Sequence, residues 1–133
     1  MLKILIVEKN EGFRDSLIQL LGDQFSTMAF EMASTGKEAM EKLPLFCPQL
    51  VFVDIHLPGG NGLALARRIR SNNAATVIVL LADHDSPEYR QAVTNVGANH
   101  FMAKGADSVD AFIGLIGSIV EANGPIFPDP ARC

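Results

Sequence analysis

The chain has no tryptophan, a single tyrosine and only two cysteines, Cys47 and Cys133. Cys47 stands before a proline and Cys133 closes the sequence, so the pair is expected to stay unbridged. That points to a reducing compartment rather than to a disulfide-stapled secreted domain. Long hydrophobic runs are also missing. The opening MLKILIV reaches Glu8 too soon for a secretory core and far too soon to span a bilayer, so the expectation is a cytoplasmic protein without membrane contact. Positive charge is scarce: 11 Lys and Arg stand against 15 Asp and Glu for a net charge of −4, and no basic stripe forms beyond Arg67, Arg68 and Arg70. Direct nucleic-acid binding by this chain is therefore not expected, and any DNA contact belongs to another domain or chain. The three histidines, His56, His84 and His100, are isolated and lack metal-ligand spacing.

What is present is enough apolar sequence for one core. At 133 residues, with 48% hydrophobic and 20% charged residues, the chain fits a single domain that needs no staple. Short apolar runs recur along it: Leu2 to Val7, Thr27 to Met32, Leu50 to Ile55, Thr76 to Leu81 and Asn99 to Ala103. Helical periodicity fills the gaps. The first helix has Asn10 as its cap and Phe13, Leu17, Ile18 and Leu21 on one face. The second opens with the capping-box spacing Thr35 to Glu38 and is expected to stop at Pro44. The third covers about residues 62–71. The fourth opens on Ser86-Pro87-Glu88 and ends near Gly97. The fifth covers about residues 108–122, with Phe112, Leu115, Ile116 and Ile119 inward.

The first, third and fourth runs are apolar without alternation, as strands covered by helices on both faces must be. The expected fold is α/β: a doubly wound, flavodoxin-like three-layer domain with a five-stranded parallel sheet in the order 2-1-3-4-5 and five helices. Residues 1–123 form that domain. The last ten, with three prolines, read as a tail or linker.

In such a sheet a crevice opens at the carboxyl ends of the strands around the switch point. The stretch LVFVDIHLPGG runs apolar residues into Asp54 at that rim. Glu8-Lys9 end the first strand, Leu81-Ala82-Asp83 the fourth, and Lys104 follows the fifth. A carboxylate beside a lysine and a second acid suits phosphoryl transfer: the carboxylate attacks phosphorus and the ammonium holds the transferred oxygens. A solvated strand end, or a cap for the turn at Pro58-Gly59, is the competing reading of Asp54.

From ILIVEKNEGFRDSLIQLL, LVFVDIHLPGGNGL, VIVLLADHDSPEYRQAV and GANHFMAKGA together, in this order and spacing, the chain resembles the receiver domain of two-component response regulators over about residues 2–122. The resemblance implies Asp54 as phosphoacceptor, Lys104 as the phosphoryl-contacting lysine and Phe101 as the aromatic switch residue. It implies a sensor histidine kinase as phosphoryl source and a downstream effector domain or protein. It also implies Mg²⁺ at the acidic pocket, held by Glu8, Asp54 and the backbone carbonyl of His56. Two positions depart from the family pattern. Lys9 stands where a second acid is usual, so Mg²⁺ should bind weakly, or the Lys9 ammonium should sit against Asp54 in its place. Leu81 stands where a hydroxyl residue is usual, so the switch should be impaired.

Three alternatives compete. The chain can be a pseudo-receiver, a docking or dimerisation module independent of phosphorylation, with the fourth helix, fifth strand and fifth helix as a homodimer face. It can be an aspartyl-phosphate phosphatase of the haloacid dehalogenase type, although His56 occupies the place of the second Asp and there is no room for a cap domain. A flavin site finds no run of hydroxyls and glycines after the first strand. A non-enzymatic receiver is the reading carried forward.

Overall fold

The computed structural model describes residues 2–25, 27–59, 61–105 and 109–123. Strands and helices alternate throughout: β1 (Leu2–Val7), α1 (Glu11–Gln24), β2 (Met28–Ala33), α2 (Gly36–Phe46), β3 (Leu50–Asp54), α3 (Gly62–Asn72), β4 (Val77–Ala82), α4 (Pro87–Val96), β5 (His100–Ala103) and α5 (Val109–Asn123). The five strands are all parallel and lie in the order β2-β1-β3-β4-β5. The doubly wound α/β expectation is met.

Burial explains why the strands are where they are. Ile4 to Val7, Leu50 to Val53 and Ile78 to Ala82 are fully buried, because helices cover both faces of the three central strands. Successive residues feed two separate cores. Ile4, Ile6, Phe52, Val79, Leu81 and Met102 pack with Leu17 and Leu21 of α1 and with Phe112, Ile116 and Ile119 of α5. Leu5, Val7, Val51, Val53, Ile78 and Leu80 pack with α2, α3 and α4 through Ala39, Leu65, Ala66, Ile69, Ala92 and Val96. The period of two along each strand thus sorts side chains into two layers.

The helix ends follow their cap chemistry. Asn10, Thr35, Asn61 and Ser86 each accept a backbone N–H of the following first turn. Glu38 does not reach back to its cap residue; its Oε1 accepts the N–H of Ser34 at 2.6 Å. One expected stop is wrong. α2 continues through Pro44 to Phe46: proline's fixed φ is already helical, and its missing donor and the crowding of its ring against the preceding turn are tolerated two residues from the helix end. Cys47 then ends the helix in a left-handed conformation, φ 52°. No described cysteine is a free thiol, so the expectation of an unbridged Cys47 is not met; Cys133 lies outside the described residues. The expected tail at 124–133 also lies outside them.

Two features brace the α3 side. Arg70 donates to the carbonyls of Gly97 (2.7 Å), Asn73 (3.2 Å) and Ala74 (2.7 Å) and to Asn99 Oδ1 (2.7 Å), tying the end of α3 to the turn between α4 and β5. Gly97 makes that turn with φ 77°, a conformation costly to any residue with a Cβ. At the other end of α3, a Cβ on Gly62 would lie 1.9 Å from the carbonyl oxygen of Asp54. Only glycine permits this approach.

Candidate functional site

Register brings four ionisable groups to one rim. Val7 is paired with Val53, so the next residues along, Glu8 and Asp54, sit side by side. Asp54 is itself paired with Leu81. The N–H of Lys104 continues the β4–β5 ladder onto the carbonyl of Ala82 at 2.8 Å, which carries the lysine to the same level. By alternation Glu8, Asp54 and Lys104 all project on the α1–α5 side, where Lys104 Nζ lies 5.4 Å from the centre of the Phe13 ring.

Lys104 is the centre of this group. Its ammonium lies 2.5 Å from Glu8 Oε1, 3.2 Å from Asp54 Oδ2 and 3.3 Å from Asp83 Oδ1. The competing reading of Asp54 as a solvated strand end does not hold, because it is only 3% exposed. Its charge is compensated instead by Lys104 and by the N–H of His56, which donates to Oδ1 at 2.9 Å. Glu8 is fully buried, and its Oε2 has no hydrogen-bond donor. A proton on the Glu8 carboxyl gives it a partner in Asp54.

The protonation pattern follows. Burial, then the hydrogen bond with Asp54, pushes Glu8 up from 4.5 to about 7. Burial also acts to raise Asp54, but the hydrogen bond from Glu8, the His56 N–H and the Lys104 charge outweigh it and hold Asp54 below its ordinary value. Burial acts to lower Lys104, and its bonds to Glu8 and Asp54 outweigh that and raise it. The arrangement is an anionic Asp54, a cationic Lys104 and a Glu8 that carries a proton about half the time near neutral pH.

The other expected residues are placed differently. Lys9 is exposed and forms no ion pair with Asp54; it lines a shallow cavity with His56, Pro58, Asn61 and Tyr89. The ammonium against Asp54 is that of Lys104 and not that of Lys9. Leu81 is fully buried in the α1–α5 core, whereas Phe101 is half-buried and packs against the opposite core. They stand on opposite faces of the sheet. His56 is exposed, and its Nε2 is 2.8 Å from Tyr89 Oη. Two participants were missed. Asp83, named at the end of the fourth strand without a role, is exposed yet pairs with Lys104. Tyr89, the one tyrosine, gave no sequence signal beyond its place in the first turn of α4.

A divalent ion fits this donor set poorly. Glu8 and Asp54 supply hard carboxylate oxygens, and the buried Oε2 of Glu8 has a lone pair to spare. Lys9 supplies no oxygen, and Lys104 already spans both acids. No helix among the described residues is long and apolar enough to cross a membrane.

Comparison with known proteins agrees with the architecture. The family model described as "Response regulator receiver domain" matches residues 4–112. The response regulator MprA of Mycolicibacterium vanbaalenii is 30% identical over 102 residues, which are 77% of this chain and 43% of that protein. The transcriptional regulatory protein PmrA of Pectobacterium parmentieri is 33% identical over 103 residues, 77% of this chain and 46% of that protein. A protein-glutamate methylesterase/protein-glutamine glutaminase of Vibrio cholerae is 26% identical over 104 residues, 77% of this chain and 28% of that protein. The chain thus spans less than half the length of these curated relatives. Among solved structures, the signal receiver domain of a DNA-binding response regulator from Colwellia psychrerythraea superimposes with a TM-score of 0.82 at 23% identity, covering 91% of this chain and 99% of that one.

Proposed function

The chain belongs to the response regulator receiver domain family, and from that premise we propose that Asp54 accepts a phosphoryl group from the phosphohistidine of a sensor histidine kinase. The observation that supports this most is the ionic state of the rim: an anionic Asp54 held next to the Lys104 ammonium at 3.2 Å. In the transfer an Asp54 carboxylate oxygen forms the new bond to phosphorus while the bond from phosphorus to the donor imidazole breaks, leaving that ring to take up a proton. Lys104 neutralises the transferred oxygens. Because it also grips Glu8, it must shift from that acid as the phosphoryl group arrives.

Magnesium binding is weak in this reading, because Lys9 withholds an oxygen ligand and adds positive charge. The switch through position 81 is impaired, because Leu81 has no hydroxyl and faces away from Phe101. Residues 1–123 act as the receiver and 124–133 as a tail towards an effector domain or protein, in the cytoplasm, with output or homodimerisation through α4, β5 and α5. The receiver is a signalling module and not an enzyme.

The test is incubation with acetyl phosphate, with and without Mg²⁺, followed by intact mass measurement. A phosphoryl mass gain in the natural chain that disappears in Asp54→Asn is expected; a gain that survives the substitution refutes Asp54 as acceptor. A second reading, a phosphorylation-independent docking module, draws on the same clamp, since Lys104 neutralises Asp54 without any ligand. A pathway reporter unchanged by Asp54→Ala favours it.

A further inference from the structure

With Leu81 and Phe101 on opposite faces of the sheet, a signal from Asp54 to β5 needs another path. One is present in the contacts around Tyr89. Asp54 Oδ1 accepts the N–H of His56 at 2.9 Å. The ring of the same histidine meets the Tyr89 hydroxyl at 2.8 Å. The Tyr89 ring then lies 6.2 Å from that of Phe101, tilted by 32°, and 5.3 Å from that of His84. Its neighbour Arg90 places its guanidinium 5.3 Å from the centre of the Phe101 ring and holds Asp85 by two bonds, at 2.7 and 2.8 Å. Each link is a direct contact, and together they join the acid to the start of α4 and the middle of β5.

We propose that Tyr89 is a positioning residue through which the state of Asp54 is read at the α4–β5 face, by way of its hydrogen bond to His56. The proposal rests on Asp54 being the modified acid and names the route that such a modification takes. A phosphoryl group, carrying added negative charge and acceptor oxygens, competes for the His56 N–H and moves the residue that carries it. The imidazole moves with its backbone, so the Tyr89 hydroxyl either follows or loses its partner. Both responses change how the Tyr89 ring packs on Phe101. The bistable element is therefore a side-chain hydrogen bond on the α4 side of the sheet, with no hydroxyl on β4 required.

The test does not depend on phosphorylation. Asp54→Asn removes the charge and keeps the shape, and backbone amide NMR of the full chain reads where the change is felt. Shifts are expected at the start of α4 and at residues 100–102. Those distant shifts should vanish when the same substitution is made on Tyr89→Phe, which keeps the ring, or on His56→Ala, which keeps the backbone N–H. His56→Gln, whose amide can still bond the hydroxyl, should restore part of them. Unchanged amides at 28–32 of β2, the edge strand that does not touch β3, certify the fold of every variant. Shifts at 100–102 that persist in Tyr89→Phe, or that never appear with Asp54→Asn, overturn the proposal. The acetyl phosphate mass gain, measured in parallel, separates this result from the acceptor reading: shifts routed through Tyr89 without any mass gain leave the route standing and remove the phosphoryl group from it.

Discussion

Replacing Glu8 by glutamine should flatten the pH dependence of stability. A carboxyl moved from 4.5 to about 7 binds its proton more tightly in the folded than in the unfolded chain. Its stabilising effect is therefore complete below pH 4.5 and is lost as pH rises towards and through 7, with a ceiling of about 3 kcal/mol. Asp54 has the opposite sign, being lowered, but its contribution is already complete above pH 3.8 and stays constant across the window. Lys104, being raised, contributes fully below pH 10.5 and is constant there too. His100, lowered by burial, works against Glu8, since the unfolded chain binds its proton more tightly near pH 6.5. Both proteins carry His100, so it cancels when the two curves are subtracted. Urea unfolding followed by far-ultraviolet circular dichroism at pH 5 and pH 8 should show the natural chain losing about 2 kcal/mol more than Glu8→Gln over that interval. Parallel curves would refute the assignment of the shared proton to Glu8.

Lys104→Met removes the cation that spans two buried acids. It should destabilise by about 3 kcal/mol at pH 8 and by less at pH 5, where a proton takes the ammonium's place between the carboxyls; the same unfolding measurement reads it. Gly62→Ala forces a methyl into the Asp54 carbonyl and should cost about 3 kcal/mol, visible as a lowered urea midpoint with unchanged slope. Lys9→Asp adds the missing oxygen ligand and removes a charge, so titration calorimetry should find Mg²⁺ bound at least about tenfold more tightly than by the natural chain.

The topology was legible because the signals that carry it are local. Strands β1, β3 and β4 announce themselves as unbroken apolar runs, and the caps at Asn10, Thr35 and Ser86 sit where the side chains can reach the first turn. Their alternation leaves few other arrangements. Pro44 misled because its φ is already helical, and a lost donor and ring crowding two residues from the end do not by themselves stop a helix. The site was half legible. Glu8, Asp54 and Lys104 end strands that topology must bring together, so their meeting follows from sheet order alone. Which lysine closes on Asp54 does not. Lys9 and Lys104 are equivalent in composition, and only the alternation of side chains along β5, together with the reach from its end, puts Lys104 on the side of the acids. The pairing of Asp83 and the part of Tyr89 were not legible because their partners are 21 and 33 residues away and are set by loop conformation. No spacing in the sequence encodes such a meeting.

The bonds made by Arg70 have a mechanical consequence. They fasten the far end of α4 through the Gly97 carbonyl and Asn99, while the near end is tethered by the bond from Tyr89 to His56. A helix pinned at one end and loosely tethered at the other pivots rather than slides. If the Tyr89 tether lets go, the largest displacement falls at the Ser86 end, beside the acidic rim, and the Gly97 end serves as the fulcrum.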